Sequence, residues 1–304
     1  MTTTYPDSSP AGTDRDADRV ATVRSAGGRQ LAYAEYGAPD GTPVVFLHGT
    51  PGSRLLAGLF DAEARERGVR LLSLDRPGYG RSEPWPRRSV ADAGAYVTTV
   101  LDDAAVDRCG VVAFSGGAPL ALAVAATHGE RIRAVDVVAG ATPPDVDAET
   151  PRTQRLLGAL ATSTPSLLRG LFRGQVWLAD RLGPSVVVEQ YTDDADEIPD
   201  EVATLVARDF VEAFASSRRG AVAELRTAVD DWGFSFEAVE APVRLRHGTD
   251  DENVPIEGAR RLADRLPDAR LDELEDADHL GALLRGVPDA FERQRRSEQV
   301  TGRA

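Results

Sequence analysis

Ser115 stands in the segment Ala113-Phe114-Ser115-Gly116-Gly117, between an apolar run that ends at Phe114 and a helix-forming stretch with Pro119 in its first turn. A serine on so sharp a strand-to-helix turn can act as a nucleophile. The turn is tight, so small residues must flank the serine. The helix start then sets free N–H groups and a positive dipole end beside any carbonyl under attack. Proline is tolerated at that first turn, because its missing N–H has no partner there in any case. Alone, a Ser-Gly-Gly turn is equally compatible with an ordinary loop between strand and helix. A serine nucleophile also needs a base, and the chain has only four histidines: His48, His128, His247 and His279. Cys109 is the one cysteine, which excludes an intramolecular disulfide and a cysteine-based metal cluster. It directly precedes an apolar run and reads as a small buried residue.

Four more segments, each just after an apolar run, make the pattern specific. His48-Gly49-Thr50-Pro51-Gly52 resembles the His-Gly-x-Pro-Gly loop of α/β-hydrolases, the proline iminopeptidase group included. Asp75-Arg76-Pro77-Gly78-Tyr79-Gly80-Arg81-Ser82 resembles that family's structural Asp-x-x-Gly-x-Gly-x-Ser turn. A nucleotide-binding reading of those glycines fails, since Glu83 stands where the third glycine belongs and no helix follows promptly. His247-Gly248-Thr249-Asp250-Asp251-Glu252-Asn253-Val254-Pro255 is similar to the family's acid-bearing segment, and Ala277-Asp278-His279-Leu280 to its histidine turn. Alanine at position 113, where the family has glycine, is the one mild departure.

The resemblance implies a triad of Ser115 as nucleophile, Asp251 as acid and His279 as base, in the Ser–acid–His order of this fold. The resemblance also selects Asp251 over Asp250, because the family's acid stands three after the Gly and four before the Pro, here Gly248 and Pro255. The resemblance further implies oxyanion N–H donors at Thr50 and Gly116, a bracing role for His48, and no metal or organic cofactor. The Thr50–Pro51 bond is a candidate for the cis form. Serine at position 115 argues against the haloalkane dehalogenases and epoxide hydrolases, which carry aspartate there.

Hydrophobic patterning supplies the elements that must hold these groups. Thr22–Arg24 and Leu31–Tyr36 read as two strands around a Gly27-Gly28 turn. Short apolar runs at 44–47, 71–74, 111–114, 135–138, 243–246 and, more weakly, 270–274 then alternate with helical stretches at 55–67, 90–107, 118–128 and 258–266. A last helix starts near Leu280 and frays into the C-terminal tail. This predicts an α/β fold: a mostly parallel, eight-stranded sheet with helices on both faces. The alternation breaks over 142–228, where helical patterns at 153–161, 166–182 and 201–214 are separated by Pro and Gly, and only Val186–Val188 looks β-like. About ninety residues is too long for a loop, so the segment is expected to be a helical cap. The resulting division is a disordered tail at 1–19, a core from 20–141 and 229–298, the cap, and a short tail at 299–304.

Charge bounds the partners. Thirty-five arginines, no lysine and 49 acidic residues give a formal charge of −14. That disfavours nucleic acid and anionic membrane. An acidic, lysine-free composition suits a halophilic surface or simply reflects GC-rich coding. The polar N-terminus has no apolar stretch of the kind a secretory signal needs, and a cytoplasmic location is the default. Small carboxylic esters are the first substrate class. An iminopeptidase-like activity would want an acidic cap residue such as Glu212 for the substrate amine. C–C bond hydrolysis and a non-catalytic ligand receptor on the same fold are the other readings.

Overall fold

The computed structural model describes residues 19–145, 152–227 and 230–301. The expected N-terminal tail lies outside the described residues, save Arg19. That residue pairs with Asp61 at 3.0 Å and sits over the Tyr36 ring. It therefore belongs to the core rather than to a tail.

Eight strands form one sheet: β1 (Val20–Arg24), β2 (Gln30–Gly37), β3 (Thr42–Leu47), β4 (Val69–Asp75), β5 (Cys109–Phe114), β6 (Ile132–Val138), β7 (Val243–Gly248) and β8 (Ala269–Leu274). Their order is β1-β2-β4-β3-β5-β6-β7-β8. The first two pairings are antiparallel and the rest are parallel. Strand β3 shows why its sequence is a continuous apolar run. Val44 and Phe46 enter the core on one face, Val45 and Leu47 the core on the other, because side chains alternate and both faces are covered.

The core helices are α1 (Asp61–Glu66), α2 (Ala93–Asp103) and α3 (Ala118–Thr127). The helical insertion that follows β6 carries α4 (Arg152–Ser163), α5 (Pro165–Leu182), α6 (Ser185–Val188), α7 (Asp200–Ala213) and α8 (Arg219–Thr227). The chain returns to the core through α9 (Ile256–Arg265) and α10 (His279–Thr301). Four expectations change. The stretch from Leu55 splits into a 3-10 turn (Arg54–Phe60) and short α1. Val186–Val188 is a helical turn, with Val187 and Val188 buried, so β-branching there serves packing. Helix α8 has no counterpart in the sequence reading. Helix α10 does not fray near position 298: it continues to Thr301 with Pro288 inside it.

That last helix is bound to the sheet by a charge cluster. The fully buried Asp136 on β6 accepts from Arg246 of β7, from Arg293 at 2.8 Å and from Gln294 at 2.7 Å. The insertion is looser. Helix α5 buries Leu168, Phe172 and Ala179 but leaves Leu167, Leu171, Trp177 and Leu182 about half exposed or more.

Candidate active site

Strand β5 ends at Phe114, and Ser115 then takes a left-handed backbone with φ of 49°. L-residues avoid that region, so the turn is strained and needs small neighbours. A Cβ on Gly116 would collide with Thr50 Oγ1, and one on Gly117 with the Leu47 carbonyl. The two glycines thus let the β3 loop lie against the Ser115 turn. Ala113 is fully buried in the sheet, where its methyl group fits.

His279 is the first residue of α10, whose start is capped by Asp278 Oδ1 accepting from Gly281 N at 2.7 Å. Its Nδ1 lies 2.7 Å from Asp251 Oδ2. Its ring leans on Phe114, the residue before Ser115, with centroids 4.8 Å apart, and Tyr191 stacks on it at 6.2 Å. Asp251 Oδ1 accepts from Asn253 N and Val254 N, each at 2.9 Å. Burial works to raise this carboxyl, but His279 and the loop N–H groups outweigh it, holding the group below the ordinary carboxylate range. Asp250 instead points outward and accepts from the Thr249 hydroxyl at 3.1 Å. The spacing argument and the structure therefore select the same aspartate as the partner of His279.

The other histidines are structural. His247 donates from Nε2 to the Val254 carbonyl at 2.7 Å, pinning the loop that carries Asp251. Burial lowers its pKa, so the neutral ring is favoured. His48 is fully buried, pairs through Nδ1 with the Gly49 carbonyl at 2.8 Å and meets Tyr79 edge-on. Burial, then Arg76, holds it well below the usual histidine range. His128 ends α3 beside Thr127. Burial raises the Cys109 thiol to about 12, as suits an inert core residue.

The Thr50–Pro51 bond is cis. The Asp75–Ser82 turn is a scaffold: Asp75 accepts from Arg54 Nη1 at 2.7 Å and from Arg81 N at 2.9 Å. Ser82 donates to the Asp75 carbonyl at 2.6 Å and accepts from Ala32 N. Gly80, at φ 47°, leaves room for the Asp75 carboxylate.

Next to these groups lies a narrow cavity of about 10 Å³, lined by Phe114, Leu280 and Leu283 from the core and by Tyr191, Val206 and Asp209 from the insertion. A space that small holds about one water. Trp177 and Phe214 do not line it. Trp177 is solvent-exposed, and Phe214 packs inside the insertion against Phe172 and Phe210. Glu212 is not free to receive an amine either, because it pairs with Arg54 at 2.5 Å and Arg81 at 3.7 Å. The acid at the cavity is Asp209, which the sequence reading missed. Its Oδ1 accepts from Ser53 N, Ser53 Oγ and Leu56 N at 2.6–3.0 Å. Burial nevertheless raises its pKa to about 7. A signal was present: Asp209 sits at helical spacing on the apolar stripe of α7, with Val202, Val206 and Phe210.

Comparison with known proteins agrees with this architecture. Residues 42–285 match the family model described as the alpha/beta hydrolase fold, and the chain belongs to that family. A 2-hydroxy-6-oxononadienedioate/2-hydroxy-6-oxononatrienedioate hydrolase of Paraburkholderia phymatum is 30% identical over 258 residues, 80% of this chain and 83% of that one. Proline iminopeptidase of Neisseria gonorrhoeae is 34% identical over 110 residues, so the match spans about a third of each chain (34% and 34%). Among solved structures, the enol-lactonase of Burkholderia xenovorans LB400 superposes with a TM-score of 0.66 at 22% identity, over 90% of this chain and 97% of that one. Among the described residues no helix is long and apolar enough to cross a membrane.

Proposed function

We propose that the chain is a serine hydrolase acting on a small carboxylic ester or related acyl compound through an acyl-enzyme on Ser115. The observation that carries this reading is the buried Asp251–His279 pair, 2.7 Å apart, beside a strained Ser115 turn. Ser115 Oγ attacks the carbonyl while His279 takes its proton through Nε2. Asp251 holds the Nδ1–H tautomer and stabilises the imidazolium. The Thr50 and Gly116 N–H groups receive the oxyanion, and water, activated by His279, then cleaves the acyl-enzyme. The helical insertion serves as a cap: it closes the cavity over the site and sets which acyl groups fit.

Asp209 favours a second reading, an aminopeptidase of the proline iminopeptidase kind, because a carboxylate at the cavity could receive a substrate amine. Against it, Oδ1 already has three donors. One experiment separates these readings. Fluorophosphonate labelling with peptide mapping should place the adduct on Ser115. A panel of p-nitrophenyl esters and proline p-nitroanilides should then show turnover of the esters. Labelling elsewhere would refute the nucleophile assignment, and turnover of the anilides alone would refute the ester reading.

A further inference from the structure

Behind the proposed oxyanion donors lies a buried charge cluster that the acyl-transfer scheme leaves unused. Arg76, the second residue of the Asp75–Ser82 turn, is 0% exposed. Its Nη2 donates to the Gly49 carbonyl at 2.7 Å and to Thr50 Oγ1 at 3.1 Å, and its Nη1 to the Gly116 carbonyl at 3.0 Å. The guanidinium thus spans the two loops that present the oxyanion donors. Glu224, from α8 of the insertion, holds it there at 3.0 Å. The same carboxylate accepts from Thr50 Oγ1 at 2.9 Å, Tyr79 OH at 2.7 Å and Arg88 at 2.5 Å. Two guanidinium groups against one carboxylate leave this buried cluster with a net positive charge.

The bond to Gly49 has a specific chemical consequence. The Gly49 carbonyl and the Thr50 N–H are the two ends of one peptide group. A peptide is a resonance-coupled donor and acceptor. A cationic donor on its oxygen draws electron density from nitrogen and makes its N–H a stronger donor. The Thr50 N–H is the group proposed to meet the oxyanion.

We propose that Arg76 is a positioning residue for acyl transfer: it polarises the Gly49–Thr50 peptide toward the oxyanion, and Glu224 reaches from the insertion to hold it in place. This rests on the acyl-enzyme reading above. It makes the insertion part of the electrostatics of the oxyanion site as well as a wall of the cavity.

The test is infrared difference spectroscopy of the acyl-enzyme made from p-nitrophenyl [carbonyl-¹³C]cinnamate, trapped at low pH where deacylation is slow. It is paired with kcat and KM for the same ester. In the wild type the acyl carbonyl stretch should fall below that of the free ester in water. In Arg76→Met it should move back toward the free value, with kcat lower by about 10² and KM within about threefold, as for loss of one oxyanion donor. Arg76→Lys should recover part of both, because a lysine keeps the charge without the fork. Glu224→Gln should give a smaller change in the same direction, and it keeps the test open should Arg76→Met fail to fold. Merely structural roles would lower the melting temperature without moving the stretch. An unmoved carbonyl stretch in folded Arg76 and Glu224 variants overturns the inference alone. A wild type that forms no acyl-enzyme overturns the hydrolase reading and this inference with it.

Discussion

Asp136 and Asp209 are both buried carboxylates, the first in the sheet and the second in the insertion, and they are treated in opposite ways. Asp136 meets two arginines and a glutamine between β6, β7 and α10. Among the described residues Asp209 meets neutral donors alone, Ser53 and the Leu56 N–H, on Oδ1, and burial lifts its pKa to about 7. A buried charge with a cation is scaffold, and removing one partner strands the other. A buried charge without one is held at a cost, and here it lies at the cavity. The wider contrast is the same. Every group proposed to make or break bonds sits between the end of a sheet strand and the first residue of the helix that follows it. The insertion shapes the cavity and leaves several leucines in water.

The largest effect that would break this division is on the core side. Ser115→Ala should lower kcat by about 10⁶ with the fold intact, as in other serine triads. Asp251→Asn should lose about 10⁴, while Asp250→Asn, at an exposed side chain, should lose about tenfold at most. Steady-state kinetics on the three purified variants decides it. More than a few per cent residual activity in Ser115→Ala, or a greater loss at Asp250, contradicts the assignment.

The two carboxylates give the sharpest comparison, because one chemical change should act with opposite signs. Asp136→Asn should destabilise by about 3 kcal/mol, since Arg246 loses its buried partner. Asp209 has a raised native pKa, so the native state holds its proton where the unfolded state has lost it. Its contribution to stability therefore falls as pH rises from about 4 to about 7, and the full penalty stands above that. Asp209→Asn should thus be more stable than the wild type at pH 8, by on the order of 2 kcal/mol, and the gain should vanish near pH 4. Urea unfolding at both pH values tests this, and a destabilised Asp209→Asn at pH 8 would contradict it.

Within the insertion, Val206 faces the cavity and Trp177 faces solvent. Val206→Ala should shift the preferred acyl chain length, changing relative kcat/KM by about tenfold, in keeping with a methylene or two of pocket space. Trp177→Ala should leave it unchanged. Equal selectivity in both variants would mean the insertion does not set substrate size. The smallest effect is the salt dependence. A charge of −14 repels itself until screened, so the melting temperature should rise by a few degrees between low and molar KCl. A flat profile would leave coding bias as the reason for the missing lysines.

The segments at 48–52, 75–82, 113–117, 247–255 and 277–280 were legible because each combines turn residues with one chemically able side chain just past an apolar run. The spacing of the family segment that 247–255 resembles also chose Asp251 over Asp250. What escaped was long-range: Asp209 had only its place on the apolar stripe of α7 to mark it, and Glu224 and Arg76 less. Glu224 and Asp209 are two among 49 acidic residues, and only their places on the buried faces of α8 and α7 distinguish them. Arg76 drew no reading of its own, because its partners stand 26 to 148 positions away. For Trp177 and Phe214, lining the cavity and filling the insertion's own core were equally open, because aromatic residues in a helix do not declare which side of it the cavity is on. Helix α10 runs on past Pro288, and Arg293 and Gln294 bind its later turns to Asp136, contacts that a polar composition does not announce.

If Ser115 is the nucleophile as proposed, its backbone, with φ of 49°, sets catalysis against durability at a single position. Glycine is the residue that this conformation suits, and replacing serine with it should raise the stability of the chain by about 1 kcal/mol while ending its chemistry. A screen that rewarded thermal tolerance alone would therefore be drawn to glycine at position 115. A serine there is what selection for turnover would retain.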